Sequence, residues 1–146
     1  MFKSCACFGQ NEIINENAVE SSLSVMFEYL IQEQQTKMFY LGGVGKFDNL
    51  CANVLLNLKT RFEHIKIVLV KPAIKNFENQ IDFKFDDVVE FKEKNEYEKM
   101  PLFSRDYKMA KNADFLVFYV EENSKNKANK ILSFANLWKK NFVNLI

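Results

Sequence analysis

Short apolar runs alternate along this chain with longer stretches whose apolar residues recur every three or four positions, and that alternation leaves few folds open. Phe2 to Phe8 (FKSCACF), Met38 to Leu41 (MFYL), Ile65 to Val70 (IKIVLV), Phe115 to Val120 (FLVFYV) and Phe142 to Leu145 have strand length and little polar content. Between them, Val19, Leu23, Met26, Phe27, Leu30 and Ile31 mark one face of a helix over Ala18 to Gln34. Asn17 followed by Glu20 reads as a capping box at its start. Phe47, Leu50, Cys51, Val54, Leu55, Leu58 and Phe62 form the stripe of a second helix. Two more helices are predicted, one from Phe103 to Asn112 behind Pro101 and one from Asn126 to Lys140 with Ile131, Leu132, Phe134, Ala135 and Trp138 inward. Lys71 to Met100 is the least patterned part: Val88 to Phe91 reads as a short strand, Lys92 to Lys99 as a solvated helix or loop.

Strands separated by helices of this length require right-handed crossovers, and so a parallel sheet. Runs as continuously apolar as IKIVLV and FLVFYV are what a sheet covered on both faces demands. The expected fold is α/β: a three-layer Rossmann-like arrangement with a mostly parallel sheet flanked by helices on both faces. No internal repeat or linker divides the chain, so residues 1–146 are expected to form a single domain. In such sheets ligands bind beyond the carboxyl ends of the strands, where the strand order reverses.

Charge and cysteine content narrow the function. Twenty basic residues stand against nineteen acidic ones, a net charge of +1. This scattered balance offers no electrostatic funnel, so nucleic acid is not an expected partner. Cys5, Cys7 and Cys51 are too few for a disulfide framework, and with His64 as the lone histidine they do not assemble a metal ligand set. They read as buried small hydrophobes, and no metal or cofactor is expected. No apolar stretch is long enough to span a bilayer and no leader is visible, so the expected location is cytoplasmic, with no membrane partner.

Three segments fall where the strand-end rule points: Gly9-Gln10-Asn11, Gly42 to Asp48, and Glu121 to Lys127. The middle one holds three of the four glycines of the chain within four positions, between a strand and a helix. Glycine lets backbone approach a ligand closely, and the helix that follows presents unpaired amides and a positive dipole end. Lys46 adds a point charge, and Asp48 is placed to cap the helix or to accept hydrogen bonds from a ribose. The competing reading is a tight turn with a helix-stabilising Asp and no ligand. The Gly-Lys-Ser/Thr ending of a P-loop is absent, and a dinucleotide fingerprint belongs after the first strand rather than the second.

In the order and spacing of CACFGQNEI, FYLGGVGKFDNLCANVLLNLK, FDDVVEF, SRDYKM, ADFLVFYV and FVNLI the chain resembles the SLOG superfamily, the Rossmann-like group of Smf/DprA-type and LOG-type proteins. Within it, the chain is most similar to the small YoqJ-like branch. The resemblance covers nearly the whole length. It implies a domain that holds a nucleotide or nucleotide-derived small molecule over the glycine loop, with Gly9, Gly42, Gly43, Gly45 and Asp48 on the ligand side and Arg105 as an anion contact. It also implies self-association as a homodimer. Three departures stand out. Gln10-Asn11 replaces a His-Arg pair, Glu121 to Lys125 replaces a Gly-Gly pair, and the PGG-x-GT-x-x-E signature of LOG phosphoribohydrolases is missing.

Gln10, Lys46 and Tyr119 complete the expected ligand-binding set, Tyr119 as a stacking surface for a base. Asp48, Glu121 and Glu122 are the carboxylates available for acid–base chemistry on a glycosidic bond. Ser104 has no paired base, because His64 belongs to the other end of the sheet. Three functions remain in view. The first is binding or sensing of a nucleotide-type ligand. The second is hydrolysis or transfer at a nucleoside N-glycosidic bond, and the third is a protein-interaction subunit whose pocket has degenerated.

Overall fold

The computed structural model describes residues 1–146. Six strands, β1 (Ser4–Gly9), β2 (Met38–Leu41), β3 (Lys66–Val70), β4 (Asp87–Val89), β5 (Phe115–Tyr119) and β6 (Asn141–Asn144), form one sheet in the order β4-β3-β2-β1-β5-β6. Every neighbouring pair is parallel. The helices are α1 (Glu16–Glu33), α2 (Lys46–Lys59), α3 (Pro101–Asn112) and α4 (Lys127–Leu137). The fold is therefore the expected three-layer α/β arrangement, with the sheet wholly rather than mostly parallel. No helix is long and apolar enough to cross a membrane.

Strand alternation divides the core into two layers. Cys5 and Cys7 of β1, with Phe39, Leu41, Ile67 and Val117, face α1 and α2. Ala6 and Phe8, with Val70, Leu116 and Phe118, face α3 and α4. All three cysteines are buried free thiols, and burial holds Cys5 and Cys51 well above the ordinary thiol range. Each fully buried Phe or Leu, such as Phe27, Phe39, Leu23 and Leu55, contributes about 1.5–3 kcal/mol relative to exposure.

The structure corrects one boundary and resolves one alternative. The first helix starts at Glu16, capped by Asn15, whose side chain accepts from the Ala18 amide at 3.1 Å. The Asn17–Glu20 pair lies inside the helix and is not a capping box. Of the two expectations for Lys92 to Lys99, solvated helix or loop, the chain adopts the second, with a turn at its end.

Chain direction fixes where a site can lie. From β1 the chain winds outward through β2 and β3 to β4, then returns to the other side of β1 for β5 and β6. The loops after β1 and β5 thus diverge to opposite faces and leave a crevice between them.

Candidate functional site

A cleft of about 440 Å³ opens at that crevice, floored by Cys7, Phe8 and Gly9 at the end of β1. Val44 and Asp48 form one wall, Arg105 and Asp106 of α3 another, and Lys125 to Ala128 at the start of α4 a third.

Asp48 and Arg105 tie the glycine loop into this cleft. Asp48 is in the first turn of α2, 8% exposed, and turns back on the loop that precedes it. Its Oδ2 accepts from the amides of Gly42 at 3.1 Å and Val44 at 3.4 Å, while Oδ1 makes no hydrogen bond within the protein. Burial raises its pKa to about 7, against the pull of the Arg105 guanidinium. Arg105 is 6% exposed. Its Nη1 donates to the carbonyls of Gly42 at 2.7 Å and Val70 at 3.0 Å, and its Nε donates to Asp106 at 2.7 Å. Burial pushes the Asp106 carboxyl up too, and Arg105 opposes the shift. The third guanidinium nitrogen, Nη2, has no protein partner and is not sealed from solvent.

The glycines serve different ends. A Cβ on Gly42 would sit 2.8 Å from the Arg105 guanidinium carbon. One on Gly43, at φ +75°, would meet Leu69 and Asn79, and the Gly43 carbonyl accepts from Gln80 at 2.7 Å. The Gly42-Gly43 half of the loop is therefore covered by protein. Gly45, at φ +94°, lets the chain enter α2, with the Asn11 side-chain oxygen close beside it. The amides of Lys46, Phe47 and Asp48 carry no hydrogen bond, as a helix without a side-chain cap leaves them.

The remaining predicted residues fall as follows. Gly9 has no room for a side chain, because Phe47 atoms lie 2.2–2.5 Å from where its Cβ would be. Gln10 bridges two loops: its Oε1 accepts from the Glu121 amide at 2.9 Å and its Nε2 donates to the Glu12 carbonyl at 3.0 Å. Lys46 is exposed and does not line the cleft. Tyr119 is in the core at 7% exposure, its ring stacked on Phe47 at 5.9 Å between centroids. The α1/α2 layer claims that face of β5, so the ring is not a free stacking surface on the cleft. Glu121 and Glu122 are exposed and outside the cleft lining.

Asn11, Leu102, Asp106, Lys125, Asn126 and Lys127 line the cleft without having been singled out. The segments were legible, but which of their side chains turn inward was not. The loop after β5 turns at Glu121–Ser124, where the Ser124 amide donates to the Glu121 carbonyl at 3.3 Å and Asn123 takes φ 67°; Glu121 and Glu122 stay outside the cleft lining, whereas Lys125 and Lys127 belong to it. Asn126 caps α4 by accepting from the Ala128 amide at 2.8 Å. The cleft therefore meets the amino ends of both α2 and α4, with Arg105, Lys125 and Lys127 against Asp48 and Asp106.

The fold is similar to that of TM1055, a structural-genomics target solved by X-ray crystallography. The TM-score is 0.58 at 15% identity, covering 96% of this chain and 72% of that one. No protein-family model and no curated protein matches the sequence.

Proposed function

We propose that the chain binds a nucleotide or nucleotide-derived small molecule in the cleft between the loops after β1 and β5. The observation that carries this reading is the cleft itself: about 440 Å³, unfilled by the chain's own side chains and placed where the strand order reverses. Two helix amino ends and three cations suit an anionic group. The buried carboxyl of Asp48 and the half-buried one of Asp106 offer acceptors for sugar hydroxyls. The phosphate is assigned to the Lys125–Lys127 side rather than to the Gly42-Gly43 turn, whose Gly42 amide is already bound by Asp48. This agrees with the SLOG resemblance in ligand class and departs from it in placement.

A thermal-shift screen of nucleoside monophosphates, cyclic nucleotides and ADP-ribose derivatives tests the reading. Stability is expected to rise with the concentration of at least one member, as mass action requires. A flat response to the whole panel contradicts it.

One observation favours a second reading, turnover at an N-glycosidic bond. Asp48 combines a pKa of about 7 with a free Oδ1 at the cleft, which suits a carboxyl to proton transfer near neutrality. Chromatography for released base separates binding from turnover. Release that Asp48→Asn abolishes supports the enzyme, and ligand recovered intact supports the binding module.

A further inference from the structure

A second cavity, of about 280 Å³, lies on the other side of Arg105, beyond the carboxyl ends of β3 and β4. Its lining brings together Lys71 after β3, Lys92 and Lys94 after β4, and Arg105 and Lys108 of α3, against Glu90 and Glu98. Five cations and two carboxylates therefore meet in one concavity of a chain whose net charge is only +1. Part of this charge is spent internally, since Lys92 pairs with Glu90 at 3.1 Å, Arg105 pairs with Asp106 at 2.7 Å and Lys108 donates to the Phe91 carbonyl at 3.1 Å. The Lys71 and Lys94 side chains make no hydrogen bond or ion pair.

The wall is built for an acceptor-rich guest. Ser104 is 4% exposed and its Oγ takes the Asn95 amide at 2.9 Å, leaving its own O–H to donate. Arg105, also nine-tenths buried, lines both cavities. Helix α3 begins at this wall with Pro101, without a side-chain cap and with no acidic residue in its first turn. Unpartnered cations facing a buried hydroxyl and a helix amino end are the complement of a compact multivalent oxyanion.

We infer that this cavity is a second anion site, taking a phosphate or pyrophosphate group, distinct from the cleft between the β1 and β5 loops. It stands whether or not that cleft binds a nucleotide.

Equilibrium dialysis with radiolabelled pyrophosphate tests it, using full-length protein and two charge-reversed variants. Lys71→Glu/Lys94→Glu changes exposed side chains at the second cavity, and Lys125→Glu/Lys127→Glu changes the first cleft. A saturable class of binding is expected that weakens by about tenfold or more in the Lys71/Lys94 variant as two attractions become repulsions. The Lys125/Lys127 variant is expected to retain it. No saturable binding, or binding that the Lys71/Lys94 variant fully retains, overturns the assignment. Unchanged melting temperatures of both variants exclude misfolding as the cause.

Discussion

Asp48 joins three demands in one carboxyl: it closes the glycine loop through the Gly42 and Val44 amides, faces Arg105, and borders the cleft. Its folded pKa of about 7 stands above the ordinary carboxylate value, so the native state holds a proton that the unfolded chain has already released. Its contribution is therefore complete below about pH 4 and is lost as pH rises toward 7. Asp48→Asn keeps an acceptor for the loop amides and cannot ionise. Between pH 5 and 8 its stability relative to wild type is expected to rise by on the order of 2 kcal/mol, measured by urea unfolding across the pH series. A constant difference would remove the burial argument. At Gly9 the constraint is steric. Gly9→Ala drives a methyl into Phe47, which is 1% exposed and stacked on Tyr119. A loss of about 3 kcal/mol is expected by the same unfolding assay. Asp48 was legible in sequence because it follows the glycine loop within a helical turn. Its coupling to Arg105 was not, since that arginine reaches Gly42 across 63 positions of sequence. Only the fold brings them together.

At the scale of elements, apolar runs and helical periodicity located the strands and helices, with the weakly patterned β4 displaced from Val88–Phe91 to Asp87–Val89, and local side-chain chemistry set the ends. The α1 start shows the difference. Asn15 and Asn17 are both plausible caps by residue type, and the backbone places Asn15 at the cap with φ −131°. Asn15→Ala is therefore expected to cost about 1 kcal/mol and Asn17→Ala only a few tenths, read from melting curves; the reverse order would place the helix start at Ala18 after all. The loop after β5 was misread for a related reason. Composition pointed to Glu121 and Glu122, whereas the cleft is lined by Lys125 and Lys127, which follow a turn with Asn123 in the left-handed region. Asn123→Val, which resists that conformation, is expected to cost about 1–2 kcal/mol and to weaken ligand binding without altering any cleft side chain. Asn123→Gly should leave both properties near wild type.

For the whole molecule, the order β4-β3-β2-β1-β5-β6 does what no single motif does. It places the loops of β1 and β5 on either side of a crevice and directs the amino ends of α2 and α4 into it. Lysines that looked scattered along the chain thereby gather at the carboxyl edge of the sheet, although the net charge is only +1. The sequence alone could show that balance but not its geography. Amide chemical-shift mapping with adenosine monophosphate or ADP-ribose tests the central claim most directly. Saturable shifts centred on Gly9 to Asn11, Val44 to Asp48 and Lys125 to Ala128 are predicted. Saturable shifts confined to other surfaces, or none at millimolar ligand, would contradict the assignment of this cleft as the nucleotide site.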